Sequence, residues 1–470
     1  MNKKKQLMKN TIIIFLGKVC TQLLSFFLLP LYTGYLSTKQ YGIVDLIQTY
    51  VTLIVPIVTL ELEMSIFRYL VDSRGKSKET KRLMSNNFFM LGTGLLIFSL
   101  FYILISSFIT IKFRWLVLFD IIVCTLSGNF LQVSRGFGKT VDFSISCIIT
   151  GLTTIISNIV TIVYLGWGSF GMIFSMAIAN LMCALYLFIR LKLYKMIDFS
   201  KIDKKIIVSM NKYSIPLIPN GVSWWIVNVS DRTIISMVLG ASFNGIYAVS
   251  NKFPTIISSL LGIFNLSWSE SAALHVNSPD RDEFFSDIVN TAVKLFSALC
   301  IGMIGCLPFV FPILINDKYN EAFKYIPILI LGALFNVVIC LYSGIYIAKK
   351  LTKQVASTAV IGAIINIVVN ILFIKKIGLF AAALSTAIAY LSMMLYRYLD
   401  LKKYVNIKIE KWLITKILVV LFFSITLYYI NNIYLNILNF IVVVIYAVVI
   451  NRDFLKQSGD AVLKKLNLGK

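Results

Sequence analysis

Residues 168–192 read GSFGMIFSMAIANLMCALYLFIRLK, and residues 378–402 read GLFAAALSTAIAYLSMMLYRYLDLK. Each holds an apolar run of the ~20 residues that a helix needs to cross a bilayer core ~30 Å thick. Laid over one another without gaps, the two share eleven of twenty-five positions, among them Phe170 and Phe380, Ser175 and Ser385, and Tyr186 and Tyr396. The Ala-Ile-Ala runs at Ala177 and Ala387 also coincide, and the offset is 210 residues. A membrane-length segment recurring at that distance predicts an internally duplicated protein. Its spans must be helices, because open sheet edges are not tolerated in lipid.

The same ruler, carried outward, finds fourteen segments. In the first half they lie near 12–34, 42–64, 86–109, 115–134, 143–165 and 168–190. In the second half they lie near 214–240, 245–268, 286–314, 324–348, 355–374 and 378–398, and two more follow at 411–430 and 433–451. The repeat spans six segments, an even number, so both halves face the same way about an axis along the membrane normal. A weaker echo pairs YGIVD at Tyr41 with NGIYA at Asn244. The expected fold class is all-α, a polytopic membrane protein of 14 transmembrane helices: two pseudo-symmetric six-helix bundles plus two C-terminal helices. The expected domains are an N-terminal six-helix lobe at 1–200, a C-terminal six-helix lobe at 207–402, and two additional transmembrane helices with a cytoplasmic tail at 411–470.

Composition agrees. Of 470 residues, 58% are hydrophobic and only 14% charged, where soluble domains carry about a quarter. The net charge of +24 does not point to nucleic acid, because the Lys and Arg fall between apolar runs. If the N-terminus is cytoplasmic and every segment crosses, 33 of the 45 basic residues lie in cytoplasmic pieces, Arg397 counted among them, 7 in outer loops and 5 within spans. That asymmetry predicts a multi-pass protein with both termini cytoplasmic. The opening MNKKKQLMKN lacks a small-residue cleavage site after it and is expected to lead into a retained first helix. The seven cysteines all lie inside apolar runs without metal-ligand spacing, as small buried hydrophobes do.

Enzyme chemistry has little to stand on. His275 is the sole histidine, and Gly138–Thr140 reads GKT without the rest of a phosphate loop. No catalytic residue, metal site or cofactor is expected.

Two stretches carry a family likeness. LLPLYTGYLSTKQYG from Leu28 is followed by EMSIFRYL at Glu63, and YSIPLIPNGVSWWIVNVSDRTIISMVLGASFNGIYAVSNKF begins at Tyr213. Both resemble the polysaccharide flippase branch of the multidrug/oligosaccharidyl-lipid/polysaccharide (MOP) exporter superfamily, over about residues 7–400, with Pro216, Asp231, Arg232, Gly240, Gly245 and Tyr247 as the motif. The resemblance implies a flippase of the bacterial cytoplasmic (inner) membrane. Such a protein translocates a polyprenyl-diphosphate-linked oligosaccharide repeat unit of O-antigen, capsule or teichoic type, by alternating access as two lobes rock. Membrane lipid, and polysaccharide polymerase machinery, are the partners it implies. Competing expectations are another MOP-type exporter, of lipid II or amphipathic drugs, and a membrane polysaccharide polymerase or ligase. Lipid II flippases carry arginines in their first two helices, where this chain has Lys18 and Asp45.

Charges within spans are costly, about 2.5–3.5 kcal/mol each even on lenient scales, so they face a partner or a wet cavity. The substrate-binding candidates are therefore Lys18, Gln22, Asn228, Arg232, Lys252 and Lys294. Lys18, Gln22 and Ser25 share one helical face, Asn220, Trp224 and Asn228 another. Asp231 is a candidate for ion coupling or for a structural bridge to Lys252; Lys18 and Lys294 could equally snorkel to the headgroups. Counting Asp231 as the one deep anion leaves the cations in excess, an arrangement that suits a diphosphate. Asp45, Gln48, Thr52, Pro56, Thr59 and Glu63 form one polar face of the second segment, while Asp120 and Glu270 are expected to be exposed near helix ends. Pro216, Pro219 and Pro254 are candidates for hinges or tolerated kinks.

Overall fold

The structure is a computed structural model that describes residues 26–108, 112–453 and 456; the side chains of residues 220, 223, 224, 227, 228 and 266 lie outside it. Among these residues every regular element is a helix: α1 (Leu29–Tyr35), α2 (Thr38–Thr59), α3 (Leu62–Asp72), α4 (Ser77–Phe108), α5 (Arg114–Gly136), α6 (Thr140–Asn158), α7 (Gly168–Arg190) and α8 (Lys204–Ser214). They continue as α9 (Ile218–Val238), α10 (Ala241–His275), α11 (Arg281–Leu314), α12 (Ile326–Ala348), α13 (Thr352–Ile377), α14 (Leu379–Leu401), α15 (Lys411–Ile430) and α16 (Ile433–Ile450).

Eleven helices among the described residues are long and apolar enough to cross a membrane, so the chain is an all-α, multi-pass membrane protein. Three of the fourteen expected segments are not among the eleven. Segment 12–34 falls mostly before the described residues, while 214–240 and 245–268 fold as α9 and α10 but carry Asp231, Arg232 and Lys252. Two compact units emerge: residues up to Ser236 together with Gly240–Gly245, and Met237–Leu239 with the chain from Ile246 onward. Helix α9 thus belongs almost wholly to the first.

In the first unit, Ser37 caps α2 by accepting from the Gln40 amide while the Gln40 side chain accepts from the Ser37 amide, a reciprocal capping box. The expected single helix over 42–64 is broken. Pro56 lies inside α2, and Leu60 and Glu61 both take left-handed backbone, φ 52° and 56°. Proline supplies no amide to its own turn, and each left-handed non-glycine residue costs about 1–3 kcal/mol. What holds the break is the next turn: Leu62, Ile66 and Leu70 of α3 are buried against Leu83 and Met84 of α4, Phe130 and Val133 of α5, and Leu187 of α7. Segment 143–165 is also irregular, ending in a π-helical turn over Ile159–Tyr164.

The repeated sequence acquires a structural meaning here. Gly171, Ser175 and Ala179 form a buried stripe on α7. Thr161 donates to the Gly171 carbonyl at 3.1 Å and lies 3.0 Å from the Ser175 hydroxyl. In the second unit the equivalent Ala381, Ser385 and Ala389 of α14 are likewise buried, and Asn366 of α13 donates to Ser385 and Thr386. Small residues every fourth position let helices approach closely enough for dispersion to act where lipid gives no hydrophobic drive. The shared positions therefore mark packing in each unit.

Arg397 departs from expectation. Counted among the loop cations, it lies inside α14 and is fully buried. Its guanidinium donates to Thr358 (2.9 and 2.7 Å), to the Ile339 and Val355 carbonyls (3.0 and 3.2 Å) and to Ser343. A planar fork with five N–H groups is thus satisfied by neutral oxygens of α12 and α13.

Candidate functional site

Asp45 stands ~10 Å along α2 from its start, at 1.5 Å per residue, and Arg232 ~9 Å before the end of α9. Their side chains form an ion pair, Arg232 Nε to Asp45 Oδ2 3.3 Å, in which the arginine side chain keeps 24% and the aspartate 13% of its surface exposed. Arg232 also donates to Thr49 Oγ1 at 3.3 Å, and Trp225 Nε1 donates to the Thr49 carbonyl at 2.9 Å. Asn244, in the first turn of α10, donates to the Gly42 carbonyl (2.9 Å) and to Asp45 Oδ2 (3.4 Å). That turn can reach α2 because Gly240 takes φ +100° between α9 and α10, a conformation that favours glycine. The two backbones then meet at Gly42 and Gly245. A Cβ on Gly42 would fall 2.7 Å from the Gly245 amide nitrogen, and one on Gly245 would fall 3.1 Å from the Gly42 nitrogen.

The pairing corrects the count that took Asp231 as the one deep anion, because Asp45 answers Arg232. Lys294 is not unmatched either: its ammonium lies 2.9 Å from Glu410. Residues 406–410 run beside the first turns of α11, with Asn290 donating to the Lys408 carbonyl at 2.9 Å and accepting from the Glu410 amide at 3.3 Å. Asp231 is buried, at 3% exposure, next to Arg232 on α9. Lys252 is half-buried on α10, which runs unbroken through Pro254. Pro216 sits in a 3-10 turn, Ile215–Leu217, that leads into α9. Lys18 and Gln22, and the side chain of Asn228, lie outside the described residues.

The polar face of α2 is real but divided. Asp45 serves Arg232, Thr59 donates to Glu63 at 2.9 Å, and Gln48 donates to Asp120 Oδ2 at 2.7 Å. Asp120 is only 1% exposed, which corrects the expectation that it faces solvent; Glu270 is exposed as expected. Below Asp120 the polar layer continues through Ser127, donating to Asn180 at 3.1 Å, and a reciprocal pair, Asn87 with Asn129. Asp120 and Ser127 stand seven residues apart, on one helical face. That spacing was the available signal for a buried polar seam.

Comparison with known proteins places the chain. Residues 7–268 match the family described as polysaccharide biosynthesis protein. An uncharacterized membrane protein of Methanocaldococcus jannaschii is 25% identical over 312 residues, which are 61% of this chain and 72% of its own. A second from the same organism is 31% identical over 155 residues, 31% of this chain and 30% of its own. Among solved structures, the lipid II flippase MurJ in an inward closed conformation matches with TM-score 0.72 at 18% identity, over 95% of this chain and 100% of that one. An inward-facing multidrug resistance MATE family transporter of the MOP superfamily matches with TM-score 0.70 at 9% identity, over 84% and 98%. At these identities the likeness concerns the fold. The chain belongs to the polysaccharide biosynthesis protein family and carries the fold of the MOP superfamily.

Proposed function

We propose that this protein is a flippase that moves a polyprenyl-diphosphate-linked oligosaccharide repeat unit across the bacterial cytoplasmic membrane by alternating access, with both termini cytoplasmic and without covalent chemistry. The observation that carries this reading is the Asp45–Arg232 pair, an arginine on α9 that keeps part of its surface open. Removing one partner of a fully buried pair costs about 3–5 kcal/mol, and a guanidinium as open as this one loses less but still favours an anion beside it. Asp45 supplies the anion while the site is empty. A diphosphate offers more charge and a bidentate match to the planar fork, so it displaces the carboxylate, and the two anions alternate on Arg232. Lys18, Gln22, Asn228, Lys252 and Lys294 stay candidate substrate contacts, with Glu410 already neutralising Lys294. Asp231 remains the candidate for ion coupling or for a structural bridge.

Lipid analysis of a deletion strain tests the substrate: a polyprenyl-diphosphate oligosaccharide should accumulate. Accumulation of lipid II or of no lipid-linked sugar would refute it. Complementation tests the pair. Arg232→Ala should abolish surface polysaccharide at normal protein level, and Arg232→Lys should restore part of it, because lysine keeps the charge and loses the fork. Normal export by Arg232→Ala would overturn the exchange mechanism.

A further inference from the structure

A second charged site lies apart from the Asp45–Arg232 pair and shares no residue with it. A cavity of about 850 Å³ opens where α4 begins, α5 ends, α6 begins and α7 ends. Four successive spans that start and finish there put it at one membrane surface, at headgroup level. Its floor is apolar, with Leu70, Phe137 and Leu191, and its wall is basic.

Part of that wall is already engaged. Arg74 donates to the Gly136 and Arg135 carbonyls at 2.6 and 2.8 Å, satisfying the end of α5. Arg190 pairs with Asp142 at 3.1 Å and Lys81 with Asp198 at 3.5 Å. Lys139, Lys192 and Lys195 also line the cavity, and among the described residues none of the three has a carboxylate within ion-pair distance. Lys192 is held in left-handed backbone, φ 53°, and Lys139 follows Gly138 at φ +73°. Both chain reversals bring their lysines to the rim. The link after α7 carries Tyr194 and Phe199 with half or more of their surface exposed, as aromatic residues at a bilayer interface do.

We propose that this cavity binds the phosphate-bearing headgroup of an anionic phospholipid. The ammonium groups of Lys139, Lys192 and Lys195, none held by a carboxylate among the described residues, take the phosphodiester, and the apolar floor takes the glycerol and the first acyl carbons. Tyr194, over whose ring the Lys195 ammonium sits at 5.9 Å, and Phe199 anchor the link in the interface. A volume of this size matches a ligand-sized cavity, and each lysine near a membrane surface favours anionic lipid appreciably.

The test titrates short-chain phosphatidylglycerol into the purified full-length protein in neutral detergent, followed by native mass spectrometry and thermal shift. Phosphatidylcholine of the same chain length and inorganic pyrophosphate form the parallel arms. Phosphatidylglycerol should bind and raise the melting temperature, phosphatidylcholine should not, and the Lys139→Ser/Lys192→Ser/Lys195→Ser variant should weaken binding at least about tenfold. If the triple variant does not fold, Lys139→Gln alone should weaken binding severalfold. Lipid binding unchanged in a folded variant would overturn the site. Protection by pyrophosphate without protection by phosphatidylglycerol would assign it to a soluble phosphate and overturn the lipid.

Discussion

Gly42→Ala is the sharpest structural test. A Cβ there would lie 2.7 Å from the Gly245 nitrogen and 2.9 Å from the Ala241 carbonyl carbon, against ordinary contact at 3.4 Å or more. The obstructing atoms, the Ala241 carbonyl oxygen nearest of all, are backbone, so relief requires α2 and the first turn of α10 to move apart. That movement strains the Asn244 bond to the Gly42 carbonyl, which contributes about 1 kcal/mol. Overpacking adds typically 1–3 kcal/mol. Alanine is the better helix former by about 1 kcal/mol, so the effects oppose one another and the geometry decides: a net loss of about 1–3 kcal/mol. Gly302→Ala in α11, where a Cβ meets nothing within 4 Å, isolates the propensity gain and should be neutral or slightly stabilising. Thermal unfolding of both variants in one detergent measures the difference. A Gly42→Ala protein that melts with or above Gly302→Ala would show that the close approach does not exist.

Other perturbations follow from the same geometry. Exchanging the charges, Asp45→Arg with Arg232→Asp, should recover more folded protein than either single change, by about 1–3 kcal/mol of coupling; equal yields from singles and double would dissolve the pair. Arg397→Lys should lower thermal stability by several kcal/mol despite keeping the charge, since three donors cannot replace five, and an unchanged melting temperature would refute the role given to the fork. Hydrogen bonds from Ser200 and Lys201 hold the Asp198 carboxyl well below its usual range. A depressed carboxylate stabilises above the unfolded value near ~3.9 and loses that contribution as pH falls through the folded one. The gap in melting temperature between wild type and Asp198→Asn should therefore be full at pH 7 and narrow in acid, and a gap that widens in acid would reverse the assignment.

Much of the architecture was legible because bilayer thickness sets a length that composition reveals directly, as in α7 and α14. Pairing was less legible. Arg232 meets Asp45 across 187 positions of chain, and no periodicity on α9 names a partner on α2. Asp120 was misplaced because the sequence shows distance from a helix end, not which neighbour covers it; Gln48 does. Leu60 and Glu61 gave no warning of their break, since neither is a residue type that favours left-handed backbone and the constraint comes from how α3 is buried. The repeat was visible, but its meaning as a small-residue stripe needed Thr161 and Asn366 in place.

The buried Arg397 bears on how the protein is made. It sits ~6 Å from the end of α14, and an arginine entering hydrocarbon without acceptors is strongly disfavoured. All its acceptors belong to residues 339–358, which leave the ribosome before α14 does. Synthesis in this order lays down the carbonyls and hydroxyls of α12 and α13 first, so the last helix of the group enters against a prepared wall. A circular permutant that begins at α14 would present the guanidinium to lipid ahead of its partners. Its insertion efficiency, compared with that of the natural order, would measure how far the order of translation itself protects this charge.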